Sequence, residues 1–412
     1  MISQSGDWMD LIAFNWLVYT LTDSTLQLAF ANALRALPAL GFTLIGGVAA
    51  DRMERRKLLF TTQFVMMIFA FALAILVSTG TVNILLIYAV ALGRGIATAF
   101  NQPARQSLIS ELVPEEDLPN AVALNSATVS LTRVIGPAIG GVLIATIGVT
   151  GAFYLNAFSF IAVLYGLYLM QFPAWEPSKT RRSVLSDLSD GYRYLRHEAG
   201  LRTLVILALV PMVLGQPYQT MLTVFAKDVF HTGGSGLGIM QSTAALGAVI
   251  GALAVASSRQ SSRFHVQMMA GLVFFGVMLV LFALSPTMWL ALPALLLIGF
   301  SNQTYQTSNN TLLQMNVEAE YRGRILSLLF LRRGLLPLGT VLAGALSAAF
   351  GPQVAVGSMA AGLVLLAVLS APYALPVLED LGKRMQRKAA GRSAVAVEVE
   401  KPQVQPAASS SV

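Results

Sequence analysis

The chain has no cysteine among its 412 residues, which excludes disulfides, thiolate catalysis and cysteine-based metal sites. It has only three histidines, His197, His231 and His265, all in or beside predicted loops, so no histidine relay crosses its apolar segments. Charge is scarce too: Asp, Glu, Lys and Arg make up 11% of the chain against 55% hydrophobic residues. No soluble core hides that much apolar surface, so the composition points to a protein embedded in lipid. Enzymatic signatures are also missing: there is no Gly-x-x-x-x-Gly-Lys-Ser/Thr loop for a nucleotide, no Gly-x-Ser-x-Gly elbow and no His-Glu-x-x-His pair. The chain is therefore not expected to be an enzyme or to hold a cofactor or metal, and any work it does draws on a gradient.

What is present is a rhythm of apolar runs and short basic loops. Runs fall at residues 1–21, 25–50, 58–79, 82–103, 121–147 and 151–172, with six more between 201 and 375, each about as long as a bilayer is thick. The expected architecture is all-α and polytopic, with six-helix bundles at 1–172 and 201–375. Residues 173–200 form a cytoplasmic linker, in which Val184, Leu185, Leu188, Tyr192 and Leu195 fall at helical spacing and predict an amphipathic helix on the membrane surface. A tail over 376–412 begins with Lys383, Arg384, Arg387 and Lys388 and loses its helical stripe from about Ala389, which predicts disorder. The net charge of +7 and isoelectric point near 9.7 would suit nucleic acid, but the cations sit in loops between apolar runs, so membrane lipid is the expected partner instead. Of 27 Lys and Arg residues, five (Arg35, Arg94, Arg133, Arg332, Arg333) lie inside spans and Lys227 lies alone on one side, which leaves 21 on the other. That asymmetry predicts cytoplasmic termini.

The two halves repeat. At an offset of 203 residues Gly136 and Gly141 fall on Gly339 and Gly344, and Pro114-Glu115-Glu116-Asp117 falls on Val317-Glu318-Ala319-Glu320. Transporter folds arise by such duplication, with the substrate site between the repeats near the bilayer midplane. Several polar residues are placed to line that site. Gln216 and Tyr218 break the seventh run, Asn302, Gln303 and Tyr305 make the tenth unusually polar, and Asn15 and Gln241 are solitary amides in apolar surroundings. Each solitary amide suits a helix-helix hydrogen bond equally well, and each tyrosine a packing role.

Charges inside the spans need partners. Arg35, Arg94 and Arg133 each lie about ten residues deep and can share one layer. A guanidinium keeps its proton, so it either pairs with an acid whose proton comes and goes or holds an anion; Arg35 can alternatively bond carbonyls freed by Pro38. Asp7 and Asp10 lie three apart on one helix face, with two placements open. Near mid-membrane they are proton carriers; at a wet cytoplasmic helix start they merely favour the helix dipole.

The most charged short link is Gly46 to Leu58, with Arg52, Arg55, Arg56 and Lys57 between two apolar runs. Its Gly47-x-x-x-Asp51-Arg52-x-x-Arg55-Arg56 pattern is similar to the loop 2-3 signature of the major facilitator superfamily, with Ala49 where Leu is usual and Glu54 where Gly is usual. Gly136-Pro137 followed by Gly140-Gly141 resembles the helix 5 signature of exporters in that superfamily, with Thr132 replacing its first Gly. The segment from Ala104 to Ala121, and Tyr321-Arg322-Gly323-Arg324, look like the enterobactin-exporter and macrolide-efflux branch.

The resemblance implies the major facilitator fold, with 12 transmembrane helices in two pseudo-symmetric six-helix bundles that rock about a central cavity. It implies a secondary active transporter in the cell inner membrane, working as a monomer on a small-molecule substrate and protons. The leading expectation is proton-coupled export of an amphipathic drug, macrolide or siderophore; import of a metabolite is the alternative, and a non-transporting receptor or enzyme a distant third. In resembling transporters an Arg of helix 4, here Arg94, is tied to proton coupling, and the hinge acid, here Asp51, latches the inner gate against the Arg322 to Arg324 segment. The Ser3-x-x-Gly6-Asp7-Trp8 pattern sits well inside the first helix of such proteins, which implies a helix beginning upstream of Met1.

Overall fold

Long apolar runs in lipid have no solvent to satisfy their peptide groups, so each must pair them internally, and a helix does so within one segment. The computed structural model describes residues 2–38, 42, 53–170, 193, 196, 198–257, 264–317 and 332–399, and among these all regular structure is helical. The first half holds α1 (Ile2–Thr22), α2 (Thr25–Ala36), α3 (Arg55–Ser78), α4 (Ile84–Leu112) and α5 (Leu118–Leu169). The second holds α6 (Ala199–Leu214), α7 (Tyr218–Val224), α8 (Gly233–Ser257), α9 (Phe264–Ala283), α10 (Met288–Asn316), α11 (Leu336–Phe350) and α12 (Pro352–Val399). Among the described residues, seven helical stretches are long and apolar enough to cross a membrane. One of them, within α5, is long enough for two crossings and is broken at Gly148.

The sequence repeat reaches into the backbone. Gly148 adopts φ 72° and ψ 175°, and Gly351, between α11 and α12, adopts φ 86° and ψ 161°. These two glycines stand 203 residues apart, the offset that relates Gly141 to Gly344. A side chain at either position would strain the turn, so the same residue makes the same reversal in each half.

The link between α1 and α2 is only Asp23 and Ser24. Asp23 takes a left-handed φ of 47°, and Ser24 caps α2 by accepting a hydrogen bond from Gln27 N at 3.3 Å. This tight reversal lays α2 against α1 and brings Arg35 back toward Asp10.

Across the halves α5 packs on α8 and α2 on α11. At the first crossing the backbones touch: a Cβ on Gly141 would stand 2.8 Å from Gly238 Cα. At the second, Thr25 Oγ1 donates to Gly344 O at 2.9 Å. Within the halves the glycines of the repeat play matching parts, Gly136 lying against Trp8 of α1 and Gly339 against Val213 of α6. Small residues at such crossings let helices approach where lipid gives no hydrophobic drive. Outside the bundle, Leu85, Leu124, Leu253, Trp289 and Tyr373 are exposed, the surface that hydrocarbon and interface cover in a membrane.

The last helix continues to Val399, past Ala389 where the apolar stripe ends. The linker's amphipathic stripe and the hinge residues Gly47, Asp51 and Arg52 lie outside the described residues, as do Arg322 and Arg324. Arg55 opens α3, and its neighbour Arg56 donates to Tyr168 O at 2.8 Å, tying that end of α3 to the end of α5.

Candidate functional site

Asp10 is the centre of the first half. It lies eight residues into α1 and twelve before its end at Thr22, about 18 Å along the helix at 1.5 Å per residue. Its side chain is fully buried, and three other helices converge on it. Arg94 of α4, itself 2% exposed, donates from Nη1 to Asp10 Oδ1 at 2.5 Å. Arg35 of α2 approaches Oδ2 at 3.3 Å, and Asn156, in the arm of α5 beyond Gly148, donates from Nδ2 to Oδ1 at 3.1 Å. One carboxylate thus holds two guanidiniums. The balance is incomplete: Arg94 Nε and Nη2 and Asn156 Oδ1 are buried without a hydrogen-bond partner among the described residues. Gly6 keeps Asn156 in place, since a Cβ there would lie 2.7 Å from Asn156 Oδ1.

The five charged residues expected to act together divide. Asp10, Arg35 and Arg94 form the cluster. Asp7, the first candidate carrier, is half-buried, within electrostatic reach of Arg94, Asp10, Arg35 and Arg105, but without an ion pair to a described residue. Arg133 stands apart, facing the space between the halves. Arg35 also passes over the Phe14 ring, 5.6 Å from its centroid, so its partners are an acid and an aromatic ring rather than carbonyls freed by Pro38.

Between the halves lies a cavity of about 250 Å³, bounded by Asn15, Asn32, Arg35, Gln216, Gln219 and Thr340 among others. A smaller one beside it is lined by Trp8, Arg133, Tyr218 and Asn302, and Gln219 and Gln241 border both. The seventh run is broken between Leu214 and Tyr218 because Pro217 cannot donate, and both Gly215 N and Gln216 N turn back to Pro211 O. That break aims Gln216 inward, where it donates to Asn302 Oδ1 at 3.0 Å. Gln306 donates to the same oxygen at 3.0 Å, and Gln219 donates to Gln216 Oε1 at 3.1 Å. In the other half Asn32 donates to Asn15 Oδ1 at 2.8 Å. The cavity is therefore walled by two bonded chains of amides, one on each bundle.

Two expected cavity residues belong elsewhere. Tyr305 is buried in the core of the second half, where its hydroxyl donates to Leu207 O at 2.7 Å and fastens α10 to α6. Gln303 bonds Thr307 of its own helix at 3.1 Å and borders neither cavity. Both sit on a polar helix, and a residue count alone does not say which face looks inward. Conversely, Asn156 and Asn32 were not singled out in the sequence. Asn156 is one amide inside an apolar run, and Asn32 lies three residues before Arg35 on the same face, signals that pointed to both.

The helix 5 motif is divided between two contacts: Gly136 and Gly140 lie against Trp8 and Met9 of α1 in the same half, and Pro137 O and Gly141 lie against Gly238 at the seam between the halves. At the end where α1 turns into α2 a polar seal crosses this seam. The Tyr19 hydroxyl donates to Asp228, Lys227 pairs with Asp23, and the Lys227 ammonium lies 5.1 Å from the Tyr19 ring centroid.

A family model described as transmembrane secretion effector, within the major facilitator group, matches residues 1–404. The staphyloferrin A transporter of Staphylococcus aureus is 29% identical over 84% of this chain and 87% of its own length. The multidrug efflux pump Tap of Mycolicibacterium fortuitum is 28% identical over 92% of this chain and 94% of its own, and the enterobactin exporter EntS of Shigella flexneri 28% identical over 85% and 84%. A solved bacterial homologue of the human lysosomal transporter Spinster, in an inward-facing and unoccupied conformation, shares the fold at a TM-score of 0.67, with 14% identity over 93% of this chain and 96% of that one.

Proposed function

The chain belongs to the transmembrane secretion effector family of the major facilitator superfamily and is a multi-pass membrane transporter rather than an enzyme, and from that premise we propose that it is a proton-coupled exporter of small molecules. The observation that carries the coupling is Asp10, fully buried between Arg35 and Arg94. While ionised, the carboxylate holds α1, α2 and α4 together through two guanidiniums. A proton on Asp10 removes that attraction and leaves two like charges facing each other, so protonation favours a different arrangement of the same helices. Arg35 lines the cavity as well as touching Asp10, so the proton site and the cavity share one side chain. Protons entering from outside neutralise Asp10 as substrate departs, and protons leave to the cytoplasm as the carrier returns.

Export rather than import is supported by the helix 5 motif at the seam and by the names of the efflux pump and the exporter among the relatives. The carrier works as a monomer in the plasma membrane with both termini cytoplasmic, and Gly47, Asp51, Arg52, Arg55 and Arg56 with Arg322 and Arg324 form its inner latch. The test is retention of a panel of dyes and macrolides in an efflux-deficient bacterium, with and without a protonophore, in parent and Asp10→Asn cells. Retention should fall with expression of the parent and recover with the protonophore or in Asp10→Asn. A rise in retention with expression would mean import.

A further inference from the structure

The hydrogen-bond directions around the cavity state what it can hold. Asn302 Oδ1 accepts from two donors, Gln216 and Gln306, which fills its lone pairs and leaves its NH2 donor for a ligand, while Asn15 Oδ1 accepts from Asn32 alone. Each cavity has one guanidinium, Arg35 in the larger and Arg133 in the smaller, and Gln219 and Gln241 border both. Among the described residues no Asp or Glu lines either cavity. Asp10, behind Arg35, is committed to Arg35 and Arg94. Arg133 is half-buried, with no carboxylate in ion-pair range among the described residues.

Arginine that faces an intramembrane cavity without a counter-ion is costly, and an anionic ligand offsets that cost. A cation would meet the same positive wall with no acid to receive it. We infer that Arg133 is the specificity-determining anchor for a ligand carboxylate or phenolate, and that the transported molecule is an acceptor-rich organic acid rather than a cation. Arg133 presents its fork to the anion, Asn302 and Gln241 donate to further oxygens, and Trp8 and Tyr218 close the apolar side. Arg35 stays with Asp10 while that acid is ionised, so anion binding and proton binding rest on different arginines. This inference rests on the reading of the chain as an exporter.

The test uses the full chain in lipid nanodiscs and in inverted vesicles, with citrate and salicylate as anionic probes and ethidium as the cation. Trp8 borders Arg133 and supplies a fluorescence signal for binding. Citrate or salicylate should quench it saturably, Arg133→Gln should weaken that binding about tenfold or more, and Arg133→Lys should retain most of it. Ethidium should neither compete nor accumulate in a way that Arg133→Gln reduces. Should Arg133→Gln not fold, Gln241→Leu, which borders the same cavity, serves instead and should weaken the anions without admitting the cation. Ethidium binding and efflux in the parent without anion binding would overturn the inference and leave the exporter standing. So would anion binding untouched by both substitutions. Arg133-dependent anion binding with no protein-dependent flux of any probe would overturn the exporter reading and leave the anion site in place.

Discussion

A single oxygen of Asp10 accepts from Arg94 and from Asn156, and the other faces Arg35, so one proton there touches three helices besides its own. Replacing Asp10 by Asn keeps the shape and removes the charge, and protonophore-sensitive efflux should disappear, whereas Asp7→Asn, which breaks no ion pair to a described residue, should keep it; substrate retention separates the two. Removing Arg94 breaks a buried pair, and Arg94→Gln should cost about 3–5 kcal/mol of stability, read as a lowered melting temperature of the purified protein. Gly6→Ala is a subtler probe. Its methyl would press on Asn156 Oδ1, so transport should fall while the protein still reaches the membrane, as surface labelling would show. At this scale the sequence was legible in part. Intramembrane Asp and Arg announce themselves because lipid penalises them, and Arg35 and Arg94 were expected to pair with an acid. Which acid they pair with depends on helix rotation, and Asp7 and Asp10 lie only three residues apart, so composition left them undivided.

Helix crossings, by contrast, were written plainly in the glycines. Gly141 in α5 and Gly344 in α11 recur at the repeat offset, and each touches the opposite half, one at Gly238 and the other at Thr25. A larger residue at Gly141 should hold the halves apart at that end. Because the chain has no cysteine of its own, Thr220→Cys on the cavity wall reports this directly. In a Gly141→Val background an impermeant maleimide added outside should label it several-fold faster than in the parent. Element ends near apolar runs were read well for the same physical reason that made them, since a span stops where the apolar run stops. The seventh span escaped that rule: Pro217 splits it into α6 and α7, and the polar residues that mark the break are those that wall the cavity.

Across the whole molecule the two bundles meet at a polar seal, Tyr19 with Asp228 and Lys227 with Asp23, beyond the crossings of α5 with α8 and α2 with α11. Disabling it with Lys227→Gln and Asp228→Asn should favour the conformation open at that end and raise maleimide labelling at Thr220→Cys, while the effect of high salt on the parent should be smaller but in the same direction. The pair of halves was legible from the repeat. The seal was not, because Asp23, Lys227 and Asp228 look like ordinary loop charges until the chain is folded. One feature of the interior reaches further than its chemistry. If the cargo is the organic acid inferred above for a cavity with an arginine and no acid among its described residues, negative charge leaves the cell with it. Against an inside-negative voltage, each departing charge yields about 2.3 kcal/mol per 100 mV, added to whatever the entering protons contribute. Such a carrier is electrogenic, and clamping the voltage at zero with valinomycin and potassium should slow it even when the pH gradient is untouched.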